Sequence, residues 1–307
     1  MLFAPPTPQT AEVWTSMPAE FRRTGERPEW AAANMPRGET FDSFLEGPSF
    51  DRDGNLWVVD IPYGRIFRIT PDGDWHLAAE YDGWPNGLKI HRDGRVFVAD
   101  YKLGIVEIDP HSGTLTPRVS HRHSEHFRGC NDLFFGADGA LYFTDQGQSG
   151  LHMPNGRVYR WTEATDRLDL LLDTGPSPNG LVMDLEEKRL YVAMTRDNAV
   201  WRLPIMSDGH VSKVGRFIQL TGGLLGPDGM ALDAEGGLWI CDPGHGSVWG
   251  FDRLGVPTIR VTSPTGHMTT NLAFRPGTSD LYITMADTGE ILRTTLPAAG
   301  KAMFSHA

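Results

Sequence analysis

The chain has 307 residues, 40% of them hydrophobic, with only two cysteines and a formal net charge of −11. The acidic balance excludes non-specific nucleic-acid binding, which needs a basic footprint. No apolar run reaches the roughly 18 residues of a membrane span, and Cys130 and Cys241 are too few for a disulfide scaffold.

The opening segment, MLFAPPTPQTAEVW, has neither a basic start nor a long apolar stretch, so no secretory leader is expected and a reducing cytoplasm is the expected compartment. Residues 1–43 form a proline-rich extension with Pro5, Pro6, Pro8, Pro18 and Pro28 and with Trp14 and Trp30. It is too short to build a core of its own. It is expected either to cover part of the following domain or to supply the strand that closes it. Any helices are expected to be short and to lie before residue 45.

From residue 44 the pattern changes to short β-branched and aromatic runs (LWVVD, RVFVAD, LYFTD, RLYVAM, LWICD, LYITM) separated by turns such as DRDGN, HRDGR and GADGA. Asp-Gly between apolar runs is a hairpin signal. One unit occurs six times: EGPSFDRDGNLWVVD from Glu46, NGLKIHRDGRVFVAD from Asn86, NDLFFGADGALYFTD from Asn131, NGLVMDLEEKRLYVAM from Asn179, DGMALDAEGGLWICD from Asp228 and NLAFRPGTSDLYITM from Asn271. The first residues are 40, 45, 48, 49 and 43 positions apart. Second hairpins follow, as in GRIFRITPDG and GRVYRWTEATDR. The repeat predicts an all-β, six-bladed propeller over residues 44–307, with four-stranded blades and a preceding N-terminal extension. A β-helix or solenoid is the alternative, although its repeats are usually shorter.

Superposing the copies places their first residues around the central channel. These are Glu46, Asn86, Asn131, Asn179, Asp228 and Asn271, all oxygen bearers and two of them carboxylates. The competing reading is that Asn-Gly and Asp-Gly simply make turns. Glu46 is not a turn residue, and Asn131 precedes Asp132 rather than glycine. Hard oxygen donors with two carboxylates suit calcium or magnesium, and the absence of His and Cys from the column argues against structural zinc. Asn86 and Asn271 are expected to contact substrate.

His121, His123 and His126 lie in SHRHSEHFRGC, just before Asn131. His126 is a candidate substrate contact or proton shuttle, against the plainer reading of an exposed polar loop. Arg128 is a candidate for an anionic substrate group. Asp60, Asp100, Asp145 and Asp242 end second strands and read as structural. Cys130 reads as inert, because strand alternation points it away from Asn131.

The EGP-x-F-D start, CNDLFF…DGALYFTD, SPNGL and GPDGMALD, in this order over residues 44–295, resemble the senescence-marker-protein/gluconolactonase/luciferin-regenerating family of six-bladed propellers. Diisopropylfluorophosphatase shares that fold and a similar metal site. The resemblance implies a divalent-metal-dependent hydrolase with Glu46, Asn179 and Asp228 as metal ligands. Asn131 is implied as a further ligand or substrate contact, and Asp228 as catalytic base or nucleophile. Calcium is the first expectation, with zinc, magnesium or manganese as alternatives. The implied partner is a small lactone or ester, in a monomer or small homo-oligomer. Gluconolactonases often carry arginine two residues before the asparagine matching Asn131. Here that position is Gly129 and the arginine is Arg128, which puts a sugar lactone in doubt. Phosphotriester hydrolysis at the same metal is the second reading. A non-catalytic binding propeller, or a metal-free strictosidine-synthase-like one, is disfavoured by the all-oxygen column.

Overall fold

The computed structural model describes residues 4–25, 27–35, 38, 40–220, 222–223 and 225–307. The architecture is a six-bladed β-propeller. Blade one comprises Leu45–Phe50, Leu56–Asp60, Arg65–Ile69 and Trp75–Glu80; blade two comprises Pro85–Ile90, Val96–Asp100, Gly104–Ile108 and Leu115–Val119. Blades three and four start at Cys130–Phe135 and Pro178–Met183 and add three strands each. Blade five runs from Met230–Leu232 to Pro257–Thr262, and blade six holds Thr269–Phe274, Asp280–Met285 and Glu290–Thr295. Each innermost strand touches the next around the ring, and the strand of blade six returns to Leu45–Phe50.

The expected hairpins form for local reasons. Asp51 accepts the backbone N–H of Asn55 at 2.8 Å, and Gly54 takes a φ of 83° in the turn. Asp233 does the same for Gly237 at 2.7 Å, and both aspartates also accept an indole N–H, from Trp57 and Trp239. The strand-ending aspartates are structural, as expected. Asp60 accepts the Phe44 N–H at 2.6 Å, Asp100 those of Lys102 and Leu103, and Asp145 those of Arg128 and Gly129.

Neighbouring blades share apolar clusters. Val59, Ile66, Leu88 and Val98 join blades one and two; Phe97, Ile105, Leu133 and Phe143 join two and three. Trp239, Val248, Leu272 and Ile283 join five and six; Leu56, Phe67, Tyr282 and Ile291 join six and one. Full burial of one such side chain contributes about 1.5–3 kcal/mol, so no blade reaches that stability alone.

The fourth strand of blade six comes from the other end of the chain. Glu12–Ser16 pairs antiparallel with Glu290–Thr295, in the register Glu12↔Arg293 and Val13↔Leu292. Thr7–Thr10 adds a parallel fifth strand to blade five. A short helix, Glu29–Asn34, buries Trp30 against Phe41 and Phe44 at one mouth of the channel. At the opposite mouth, Lys301 donates to the Asp184 carbonyl at 3.0 Å and to Glu187 at 2.9 Å, while Phe304 stacks on Phe135. Among the described residues, no helix is long and apolar enough to cross a membrane.

Candidate functional site

The column of first residues coincides with a recurrent irregularity. The innermost strands slip register against their neighbours between Glu46 and Ser49, Pro85 and Gly87, Cys130 and Leu133, Pro178 and Leu181, and Thr269 and Leu272. A bulge redirects a side chain out of the ordinary alternation, and here it falls at the column residue each time. In blade five the regular strand starts only at Met230, and Asp228 is held ahead of it by its N–H to the Cys241 carbonyl at 3.0 Å. The glycines that follow column residues are not turn residues. A Cβ on Gly180 meets the Asp228 carbonyl at 2.5 Å, and one on Gly87 meets Asp132 at 2.5 Å. Glycine lets adjacent innermost strands approach this closely at the axis.

Glu46, Asn86, Asn131, Asn179 and Asp228 line a cavity of about 540 Å³ at the mouth that carries the short helix. Its apolar lining includes Trp30, Met35, Phe44 and Met268, and its polar lining includes Gln146, Gln148, Ser177 and Arg196. The Asn131 amide N–H donates to Gln146 at 3.0 Å, and Gln146 donates to Ser177 at 2.8 Å. Among the described residues, none donates to the Asn131 side-chain oxygen. Gln148 ties the helix over the mouth through Asn34 at 3.0 Å and Tyr101 at 2.7 Å.

Two carboxylates at the base of the cavity carry poorly compensated charge. Glu46 is 4% exposed and accepts from the Gly47 N–H at 2.7 Å and from the Asn271 amide at 2.8 Å. Burial, then the Asp228 and Asp132 carboxylates, hold its pKa well above the usual range. Burial, then Asp132, pushes Asp228 up to about 8, against a hydrogen bond from Asn179 and the charge of Arg196. Asp132 is raised by burial and opposed by Lys89, 4.0 Å away. Among the described residues, no three His, Cys, Asp or Glu side chains group closely enough to hold a metal. The column residues that line the cavity offer two carboxylates, Glu46 and Asp228, and the carboxamides of Asn86, Asn131 and Asn179. Two like-charged, desolvated carboxylates beside neutral oxygen donors fit a hard divalent cation.

Three residues expected at the site lie outside the cavity lining. Asn271 is 2% exposed, and its amide is spent on Glu46 and on Asp132 at 3.2 Å while its oxygen accepts the Leu272 N–H. It positions Glu46 rather than meeting a ligand. Arg128 turns away to Glu125 at 3.1 Å and to the Asn155 carbonyl at 2.8 Å. His126 sits exposed on a small hairpin, paired with His121. Cys130 is buried, and burial, then Asp145, raises its pKa well above the thiol norm, so it is inert.

A second set of lining residues has its own periodicity. Ile61, Tyr101, Gln146, Thr195 and Pro243 all line the cavity, and each directly follows a second strand, those four ending in aspartate or the one ending at Met194. The repeat carried this signal one residue beyond the strand-ending aspartates. Arg196, one position further, follows from the same offset.

Residues 44–287 match the family described as SMP-30/Gluconolactonase/LRE-like region. Lactonase drp35 of Staphylococcus aureus strain MRSA252 is 30% identical over 258 residues, covering 79% of this chain and 78% of the relative. The Staphylococcus saprophyticus lactonase drp35 is 31% identical over 257 residues, with the same coverage. Among solved structures, a calcium-binding regucalcin from Agrobacterium tumefaciens superposes with a TM-score of 0.79 at 22% identity, over 99% of this chain and 100% of its own. A gluconolactonase from Xanthomonas campestris gives 0.74 at 21% identity, over 97% and 99%. At these identities the solved structures speak for the fold.

Proposed function

Because the chain belongs to the SMP-30/Gluconolactonase/LRE-like family, we propose that its axial cavity opens a lactone by hydrolysis, with Glu46, Asn131, Asn179 and Asp228 holding one divalent cation, calcium foremost. The observation that carries this reading is the pair of desolvated carboxylates, Glu46 and Asp228, facing one cavity with neutral amide oxygens beside them. A bound divalent cation supplies Lewis acidity to an ester carbonyl. The drp35 relatives are named as lactonases, which favours a cyclic ester as substrate.

Asp228 is the general base. Burial makes it a strong proton acceptor for a carboxylate, the property that a base working near neutral pH needs. Asn179 lines the cavity beside Asp228 and favours its charged form. Water bonds to the lactone carbonyl carbon as Asp228 takes one of its protons. The ring C–O bond then breaks, and the leaving alkoxide takes that proton from Asp228. Glu46 stays in place because Gly47 and Asn271 both donate to it. The apolar wall around Trp30 and Phe44 limits bulk water and strengthens electrostatics inside.

The test is a lactone panel followed by pH-stat, on the wild type and on Asp228→Ala, before and after chelation and with calcium added back. Activity that falls on chelation, returns with calcium and is missing from the variant is the expected result. Lactone opening that persists in Asp228→Ala, or that ignores the chelator, overturns the reading.

A further inference from the structure

Arg196 is the one lysine or arginine among the described residues that line the axial cavity. It stands on the tight turn Thr195–Asp197, directly after the second strand of blade four. Its neighbour Asp197 is already committed to Arg216 and to the Trp201 indole N–H at 2.7 Å. Among the described residues, no ion pair or side-chain hydrogen bond holds the Arg196 guanidinium, and the residue is exposed and lines the cavity. This contrasts with Arg128, whose guanidinium is satisfied by Glu125 and a carbonyl.

The backbone under Arg196 is fixed relative to Asp228. The Arg196 N–H donates to the Pro176 carbonyl at 3.2 Å. The Thr195 hydroxyl donates to the Pro227 carbonyl at 2.8 Å, one residue before Asp228. Gly226 packs so tightly on the Thr195 carbonyl that it has no room for a Cβ. On the other side, a Cβ on Gly150 would lie 3.7 Å from the Arg196 Cγ. The arginine stem is thus bracketed between the loop bearing Asp228 and the loop at Gly150, and its charge reaches Asp228.

We propose that Arg196 is the specificity-determining residue of this cavity and binds an ionised carboxylate on the substrate, so that the preferred lactone is an acidic one. The inference rests on the hydrolase reading for the word lactone and on its divalent cation for the charge balance. Charge balance supports it. Two lining carboxylates, Glu46 and Asp228, match one divalent cation, which leaves the arginine as the uncompensated charge. A guanidinium meets a carboxylate through two parallel hydrogen bonds, and Ser177 and Thr195 line the cavity beside it, the Thr195 N–H donating to the Ser177 carbonyl at 3.0 Å. The apolar lining, Trp30, Met35, Phe44 and Met268, takes the uncharged face of the ring.

The experiment compares matched acid and amide probes on the calcium-loaded chain. Pyroglutamate and its amide are ring lactams that resist hydrolysis, and titration calorimetry reads their binding directly. The wild type is expected to bind the acid about tenfold more tightly than the amide. Arg196→Gln is expected to bring the two within about twofold, and Arg196→Lys to restore part of the gap. In parallel, 5-oxotetrahydrofuran-2-carboxylate and γ-butyrolactone are assayed for hydrolysis. Arg196→Gln should raise KM for the acidic lactone several-fold more than KM for the neutral one, with any change in kcat through Asp228 shared by both. If Arg196 acted only by adjusting Asp228, both lactones would suffer equally in kcat, with no such difference in KM. The proposal is overturned by that result, by a wild type indifferent to the carboxylate, or by an acid preference that survives Arg196→Gln. An acid preference that depends on Arg196 in a chain that opens no lactone sustains the anion site and overturns the hydrolase reading instead.

Discussion

Neutralising Asp228 should make the metal-free protein more stable while removing its activity. The aspartate has an ordinary value of 3.8 and is pushed up to about 8 in the fold, mainly by burial. The folded chain therefore binds this proton more tightly than the unfolded chain. Stability from this group is fullest below the unfolded value and falls as pH rises from about 4 to about 8. At pH 7 the full linkage is about 4 kcal/mol, at 1.36 kcal/mol per pH unit. Asp228 is partly open to the cavity, and solvent there brings the expected gain of Asp228→Asn to about 2 kcal/mol. That corresponds to a rise in Tm of about 4 °C for a chain of this size. The assay is thermal and urea unfolding in chelator at pH 5 and pH 8, on wild type and variant. The gap should be wide at pH 8 and narrow at pH 5, and calcium should raise the wild type far more than the variant. A variant that is no more stable than wild type at pH 8, or a gap that does not change with pH, refutes the reasoning.

Calcium affinity of the wild type should rise with pH up to about 8, because the cation competes with the proton on Asp228; calorimetry across pH 6–9 checks this. Gly180→Ala should lower both stability and activity, because its Cβ would sit 2.5 Å from the Asp228 carbonyl, whereas Gly215→Ala, with nothing within 4 Å, should change neither; unfolding and turnover on the two variants separate the cases. Starting the chain at Met17 removes the strand Glu12–Ser16 and bares the edge of Glu290–Thr295. The truncated chain should unfold at lower temperature and self-associate through that edge, as read by calorimetry and light scattering.

The ring and the axial column were legible because both follow from short-range chemistry. Asp-Gly turns set the hairpins, and the repeat brings equivalent residues to equivalent places, so Glu46, Asn86, Asn131, Asn179 and Asp228 meet in one cavity. Asn271 shares that column, yet its role depends on which neighbours are carboxylates. Glu46 and Asp132 take its amide, and no property of the asparagine itself announces this. Arg128 and His126 were judged by nearness to Asn131 along the chain. Gly129, with a φ of 150°, and the pull of Glu125 carry them elsewhere. Of the two roles open to the extension, closure and cover, the strand Glu12–Ser16 performs one and the helix Glu29–Asn34 lies where the other is expected. Sequence pattern did not choose between them, because strand partners 281 residues apart, such as Glu12 and Arg293, leave no local trace.

That same pairing imposes a timetable on biosynthesis. Glu12–Ser16 leaves the ribosome well before its partner Glu290–Thr295. At roughly 5–20 residues per second, the early strand waits about 15–55 s for its mate. Throughout that interval its N–H and C=O groups are free to pair with another nascent chain. Five blades can assemble in order behind the tunnel, and the final one locks only when the two ends meet. The propeller therefore cannot close until Glu290–Thr295 has emerged, and its yield in a cell depends on keeping Glu12–Ser16 solitary until then.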